Sequence, residues 1–265
     1  MDNKKGNIGI FDSGLGGLWI LKHLKEKLSN YNYIFYADQA NIPYGHKTKD
    51  ELFEITAKAL DFLYGEKNCM GVILACNTVS SNIYERLRNW KDKKYFGRIL
   101  FGIVHPTVES LNPNEKTVIF ATPRTCESEI YDKFFKEHIK DYLKIPMKDL
   151  ACKIENDEDV FPYINSFKEQ VPNNTVRGAL LCTHYGIVKN DFKKVFPDIK
   201  TWIYQEEIVP NYINNYFKEF PERENFFKHG NEIFIYMTKD NIIFKDFAQK
   251  WFGDKVKIQV IKSQK

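Results

Sequence analysis

The feature that most constrains this 265-residue chain is an alternation running its whole length. Short apolar runs, at Ile8–Phe11, Tyr33–Ala37, Gly71–Ala75, Ile99–Val104, Thr117–Ala121, Gly178–Leu181, Trp202–Tyr204 and Glu232–Met237, are separated by stretches of helical periodicity. Runs this short, rich in Ile, Val, Phe and Tyr and without a polar alternate face, suit strands covered on both sides. Between them, Leu18, Leu21, Leu24 and Leu28 recur every three or four residues, with Lys22, Lys25, Glu26 and Lys27 interleaved. Val79, Ile83, Leu87 and Trp90 recur in the same way, as do Ile208, Tyr212 and Tyr216. Strand–helix alternation of this kind predicts an α/β fold, with mainly parallel sheets flanked by helices.

A second regularity divides the chain. Gly71-Val-Ile-Leu-Ala-Cys76-Asn77-Thr78 and Gly178-Ala-Leu-Leu-Cys182-Thr183-His184 are both buried-strand patterns ending in a cysteine and polar residues, with the cysteines 106 residues apart. The pair Ile8-Gly-Ile-Phe11-Asp12-Ser13 and Val118-Ile-Phe-Ala121-Thr122 sits at nearly the same offset. Two landmarks sharing one offset predict two similar halves. In open parallel sheets, ligands bind beyond the carboxyl ends of the strands, where N–H groups of the following helices point outward. Asp12, Ser13, Cys76, Asn77, Thr122, Cys182, Thr183 and His184 all fall at such ends. Two facing halves would put one of these cysteines on each side of a shared cleft.

Charge and cysteine usage narrow the partners. The net charge is +4 and the basic residues are scattered, which argues against nucleic acid or acidic lipid as a partner. No apolar run approaches the roughly 18–20 residues of a membrane span, and the start MDNKKGNIGIFDSG lacks the features of a secretory signal. Five dispersed cysteines without a CxxC pair indicate neither a zinc cluster nor a disulfide framework. A reduced, cytoplasmic, globular protein is expected.

Gly14-Leu-Gly16-Gly17 after the first strand invites a dinucleotide reading, but Trp19 stands where the fingerprint needs its third glycine. A tight turn admitting a small anion fits better. Ile42-Pro43-Tyr44-Gly45 forms a second glycine turn after the second strand. Cys69, Cys126 and Cys152 read as small buried hydrophobes. Cys76 and Cys182 differ, because each is followed at once by hydrogen-bonding residues at an expected helix N-terminus, a setting that lowers a thiol pKa from its reference of about 8.5. Two thiols across a cleft could serve as thiolate base and thiol acid on opposite faces of one carbon. Alternatively, Cys182 could be a nucleophile activated by His184.

The segments IGIFDSGLGGL, IPYG, ACNT, ATPRT and CTHY, in this order and spacing, resemble the glutamate racemase family of the aspartate/glutamate racemase superfamily. The similarity runs from Ile8 to about Gly253. It implies an interconversion of L- and D-glutamate without a cofactor or metal, supplying D-glutamate for peptidoglycan. It also implies two pseudo-symmetric α/β domains, with the C-terminal segment returning to the first, so that residues 1–98 and 212–265 form one domain and 99–211 the other. The active site would lie in the cleft between them, and a homodimer is expected. The family's catalytic cysteines fall on Cys76 and Cys182, and its neighbouring polar catalytic residues on Asp12 and His184. Residues implied to hold substrate are these four together with Ser13, Pro43, Tyr44, Gly45, Asn77, Thr78, Thr122, Thr125 and Thr183.

Some positions depart from the family pattern. Gly186 follows CTHY where proline is usual, His105 precedes Pro106 where glutamate is common, and Trp202-Ile-Tyr204-Gln205-Glu206-Glu207 lacks the usual Asp-Ser pair. A glutamate expected after Cys152 is not assigned among Glu155, Asp157, Glu158 and Asp159. Without a cofactor as electron sink, the site must stabilise an α-carbanion with preorganised donors, and the strand-end residues offer hydroxyls and amides rather than a fixed arginine. Other readings are an aspartate racemase, a decarboxylase (disfavoured by the presence of both cysteines) or an amino-acid-binding homologue without turnover.

Overall fold

A computed structural model describes residues 5–111, 114–138 and 141–262. Among the described residues, ten strands form two all-parallel sheets. They are β1 (Asn7–Asp12), β2 (Tyr33–Ala37), β3 (Cys69–Leu74), β4 (Ile99–Gly102), β5 (Thr117–Ala121), β6 (Tyr142–Pro146), β7 (Arg177–Leu181), β8 (Thr201–Tyr204), β9 (Ile233–Met237) and β10 (Val256–Val260). The first sheet runs β10-β9-β2-β1-β3-β4 and the second β6-β5-β7-β8. Four strands of the first, β2-β1-β3-β4, thus have the same sequential order as the whole of the second. That is the structural content of the shared offset.

Side-chain alternation makes the layers. In β2, Tyr33, Phe35 and Ala37 enter one core with Ile8, Ile10, Ile73 and the helix Leu15–Lys27, while Ile34 and Tyr36 enter the other with Phe11, Val72 and Leu74. The second sheet is divided in the same way, with Val118, Phe120 and Leu180 on one side and Ile119, Ala121, Ala179 and Leu181 on the other. Among the described residues, no helix is long and apolar enough to cross a membrane.

Sequence and structure differ at the edges. The apolar runs do not mark β6 and β10, and each is an outermost strand. Half-buried and carrying Lys144, Lys257 and Gln259, they lack the continuous apolar signal of a central strand. The boundary at 98/99 also needs correction, because β4 pairs with β3 and belongs to the first sheet. The chain crosses after Gly102, with Val104 and Val108 already in a core of the second half. It returns after Tyr204 rather than at 212, since Val209, Ile213 and Phe217 of the helix Gln205–Glu219 pack in the first core. The buried stripe of that helix lies one position after the expected Ile208, Tyr212 and Tyr216.

Candidate active site

The carboxyl ends of both sheets open onto one cavity of about 350 Å³. Asp12 and Ser13 leave β1 to line it, Cys76, Asn77 and Thr78 follow β3, Thr122 follows β5, and Cys182, Thr183 and His184 follow β7. Pro43, Tyr44 and Gly45 reach it from the loop after β2. Thr125 does not line the cavity. It is buried behind Thr122, whose hydroxyl donates to Thr125 Oγ1 at 3.0 Å and accepts from Thr125 N at 3.4 Å. Thr125 is thus placed to orient Thr122 from behind.

The glycine turn after β1 admits an anion, and that anion belongs to the chain itself. Leu15 N, at the start of the helix Leu15–Lys27, donates to Glu155 Oε1 at 2.6 Å. A Cβ on Gly14 would lie 1.9 Å from the same oxygen, and one on Gly16 would lie 2.2 Å from Thr183 Oγ1 and 2.7 Å from His184 Nδ1. The glycines keep the first half's backbone close enough to receive side chains of the second.

Of Glu155, Asp157, Glu158 and Asp159, Glu155 is the one that lines the cavity. Besides Leu15 N, His184 Nε2 lies 2.6 Å from Glu155 Oε1, and Gln39 Nε2 donates to Oε2 at 3.4 Å. His184 Nδ1 in turn lies 3.7 Å from Cys182 Sγ. The result is a buried line from thiol to imidazole to carboxylate. A usable signal was present, because Ala151, Cys152 and Glu155 share one face of the helix Leu150–Glu155 and all line the cavity. Without β6 that helix had no anchor in the sequence pattern.

On the other side of the cavity, Asp12 is fully buried. Its Oδ1 accepts from Ser13 N at 2.6 Å, and its Oδ2 accepts from the Thr183 hydroxyl at 3.0 Å. Burial pushes its carboxyl up to about 6, against the opposing pull of His184 and these hydrogen bonds. Burial is likewise the largest influence on Cys76. With the charge of Asp12, it holds that thiol well above its ordinary value despite the N–H groups of Val79 and Thr78 at the helix terminus. The lowering expected from the helix end is thus overruled at Cys76 by desolvation. For His184, burial alone would push the imidazole down. The hydrogen bonds and negative charge of Cys182 and Glu155 outweigh it and hold the group well above 6.5.

Two further expectations change. Cys69 is buried, but Cys126 is half-buried and Cys152 is exposed and lines the cavity. The site also carries cations, because Arg124 and Lys148 line it, and Arg124 Nη2 donates to the Lys47 carbonyl at 2.6 Å. That bond joins the segment after β5 to the loop after β2 across the cavity. Among the described residues, no group of three or more His, Cys, Asp or Glu side chains is disposed to hold a metal ion.

No protein-family model matches the chain. It is 33% identical to a glutamate racemase of Fusobacterium nucleatum, with the similarity covering 97% of this chain and 98% of that protein. The chain belongs to the glutamate racemase family. A glutamate racemase of Lactobacillus helveticus is 29% identical over 96% of this chain and 95% of its own length. Among solved structures, the fold is similar to that of glutamate racemase from Francisella tularensis in complex with D-glutamate, with a TM-score of 0.83, 23% identity and coverage of 100% and 99% of the two chains. Glutamate racemase from Campylobacter jejuni aligns with a TM-score of 0.76 at 26% identity, over 94% of this chain and 98% of that one.

The departures from the family pattern now have positions. His105 lies on the exposed face of the helix Val104–Glu109, beside Glu109, and does not line the cavity. Gly186 is a matter of space, since a Cβ there would meet Glu206 Oε2 at 2.5 Å. Glu206 is buried and paired with Lys189 Nζ at 3.3 Å, so its carboxylate occupies room that a proline ring would need.

Proposed function

We propose that this chain interconverts L- and D-glutamate by a two-thiol mechanism that needs no cofactor, and that it supplies D-glutamate for peptidoglycan synthesis. One observation carries the reading. Two buried thiols leave corresponding strands of two like halves, line one cavity, and each has its own proton-holding neighbour, Asp12 for Cys76 and His184 for Cys182.

In one direction, the sulfur of one cysteine, as thiolate, takes the α-proton and becomes a thiol. The electron pair of the broken Cα–H bond passes into the α-carboxylate as an enediolate. The thiol on the opposite face then protonates Cα and is left as a thiolate, and the reverse reaction exchanges the two roles. His184, as imidazolium between Cys182 and Glu155, is positioned to stabilise negative charge on the Cys182 sulfur. The cavity-lining amide of Asn77 provides a donor for the carboxylates and the developing enediolate, and Thr78 and Thr183 line the same cavity.

Deuterated water tests this directly. Starting from L-glutamate, early D-glutamate is expected to carry deuterium at Cα while unreacted L-glutamate stays largely protiated, with the reverse pattern from D-glutamate. Proton NMR of the separated enantiomers at low conversion reads the result. Early label in the starting enantiomer would argue for one base serving both faces. An absence of α-exchange from both enantiomers would remove the racemase reading. Equal exchange of aspartate would favour a broader acidic amino-acid racemase over one selective for glutamate.

Asp12 adds a pH dependence. An ionised Asp12 holds the substrate ammonium or accepts a proton near Cys76, and its carboxyl titrates at about 6. Between one pH unit below that value and one above, its ionised fraction rises roughly tenfold, and kcat/KM, which reports groups of the free enzyme, should rise with it. The rise is expected as pH increases through 6. Asp12→Asn should flatten that limb, and an unchanged limb in the variant would assign it to another group.

A further inference from the structure

We infer that Gln205 is a positioning residue that fixes the side-chain amide of Asn77, next to Cys76, so that one amide N–H is held toward the cavity. The inference rests on the racemase reading for its kinetic consequence, but its geometric content stands independently.

Gln205 is the first residue of the helix that returns the chain to the first sheet, and it is 1% exposed. Three other buried side chains meet it or its partner. Asn77 begins the helix after Cys76, Thr107 lies on the helix Val104–Glu109 at the outward crossing, and Tyr131 belongs to the helix Glu129–His138 of the second half. Both passages between the sheets therefore come together beside the Cys76 end of β3.

The hydrogen atoms can be assigned by following the bonds. The Thr107 hydroxyl donates its single proton to the Ile103 carbonyl at 2.6 Å, so toward Gln205 it can only accept. Gln205 must then present its NH2 group to Thr107, at 3.0 Å, which settles which end of its amide is nitrogen. The same nitrogen donates to Asn77 Oδ1 at 3.0 Å, while Gln205 Oε1 accepts from Asn77 Nδ2 at 2.5 Å. Tyr131 donates its hydroxyl proton to Asn77 Oδ1 at 2.8 Å. Both lone pairs of Asn77 Oδ1 are thereby occupied, and one of its two amide protons is engaged. Reversing the Asn77 amide would set NH2 against the donors of Gln205 and Tyr131, which a buried network does not tolerate. The remaining N–H has one direction, and Asn77 lines the cavity.

A backbone carbonyl at the outward crossing thus dictates, through Thr107 and Gln205, the polarity of a donor beside the Cys76 thiol. Gln205 itself does not line the cavity, so it acts on the reaction through Asn77. The sequence departs from the family pattern in this segment, and the amide at 205 provides both the donor and the acceptor that the network requires.

The test is a double-mutant cycle on the full chain with Gln205→Met, Asn77→Ala and the pair, following racemisation in both directions and checking folding by circular dichroism and melting. Gln205→Met should lower kcat in both directions by about tenfold to a hundredfold, the loss of one oriented donor, with a smaller change in KM. In the Asn77→Ala background, the same substitution should cost less than about twofold, because the group it orients is gone. Gln205→Glu, which cannot donate to Asn77 Oδ1, should resemble Gln205→Met. Additive losses, or full activity in a folded Gln205→Met, would overturn the inference.

A second arm needs no turnover. In 15N-labelled protein, the Asn77 side-chain amide, assigned by its disappearance in Asn77→Ala, should exchange its engaged proton with solvent at least tenfold faster after Gln205→Met. Unchanged exchange in the folded variant would also overturn the inference. Failure of the racemase reading would instead appear in the unsubstituted chain, as absence of α-exchange.

Discussion

Serine at Cys76 or Cys182 is expected to lower racemisation at least ~10³-fold in both directions with the fold intact, which is the order of loss for removing a positioned acid or base. The change is nearly isosteric, and both sites are almost fully buried, so packing is little disturbed. What is lost is acidity. A serine hydroxyl can neither hold a negative charge on one face of Cα nor release a proton readily from the other. Because each thiol is base in one direction and acid in the other, neither direction should survive either substitution. Steady-state racemisation measured by circular dichroism, with melting curves on the same samples, checks this, and full activity in either variant would exclude that cysteine. Cys69→Ser should remain active but melt earlier, since it places a hydroxyl in the core beside Val72. Cys126→Ser and Cys152→Ser should also remain active. Cys152 is the exposed thiol of the cavity and Cys126 is half-buried outside it, so alkylation with substrate protection should be followed in the Cys126→Ser/Cys152→Ser double variant, where Cys76 and Cys182 are the cavity sulfurs that remain.

Glu155→Ala should lower kcat by about a hundredfold, because it removes what holds the His184 ring against Cys182, and small misplacements of catalytic groups cost this much. It also leaves Leu15 N without its acceptor and the imidazole without its carboxylate, a stability loss of about 1–3 kcal/mol for the unpaired N–H alone. Glu155→Gln separates charge from geometry. An amide oxygen can still accept from Leu15 N, but the negative charge that helps hold His184 above its ordinary value is gone. The sign follows from the group. A raised imidazole loses its proton at high pH, so lowering it should move the alkaline fall of kcat/KM to lower pH, while the limb from Asp12 near 6, on which Glu155 is only a small raising influence, should move slightly downward. A pH profile of Glu155→Gln with an unmoved alkaline limb would detach His184 from that titration. Gly14→Ala should mimic Glu155→Ala, since its Cβ would occupy the place of Glu155 Oε1. In the double variant the losses should not add.

Much of this is legible in the sequence for a physical reason. Central strands such as Tyr33–Ala37 and Thr117–Ala121 are buried on both faces, so their composition alone marks them, and the sequence bounds coincide with β2 and β5. The polar residues that close central strands follow such runs at once. Asp12, Ser13, Cys76, Asn77, Thr78, Cys182, Thr183 and His184 stand out in the chain for that reason. Local pattern also marks the two like halves, because each repeats the same order of strands.

Tertiary structure decided what depends on distant partners. Glu155 meets His184 across 29 positions and Leu15 across 140, and its shared face with Ala151 and Cys152 sets it apart from Asp157 and Glu158 only once the helix Leu150–Glu155 is in place. Half-polar edge strands such as β6 and β10 are defined by the neighbour they pair with, so their residues carry a weak signal on their own. Whether β4 closes the first sheet or opens the second is likewise a matter of pairing. The sequence by itself determined the α/β alternation, the two halves and the pair of strand-end thiols, because burial and turn chemistry are written locally. Only the folded chain decided that the glycine turn receives Glu155, that desolvation raises Cys76 against its helix terminus, and that Gln205 orients Asn77. Each of these depends on which groups exclude water from one another, and that is a property of the packed cleft.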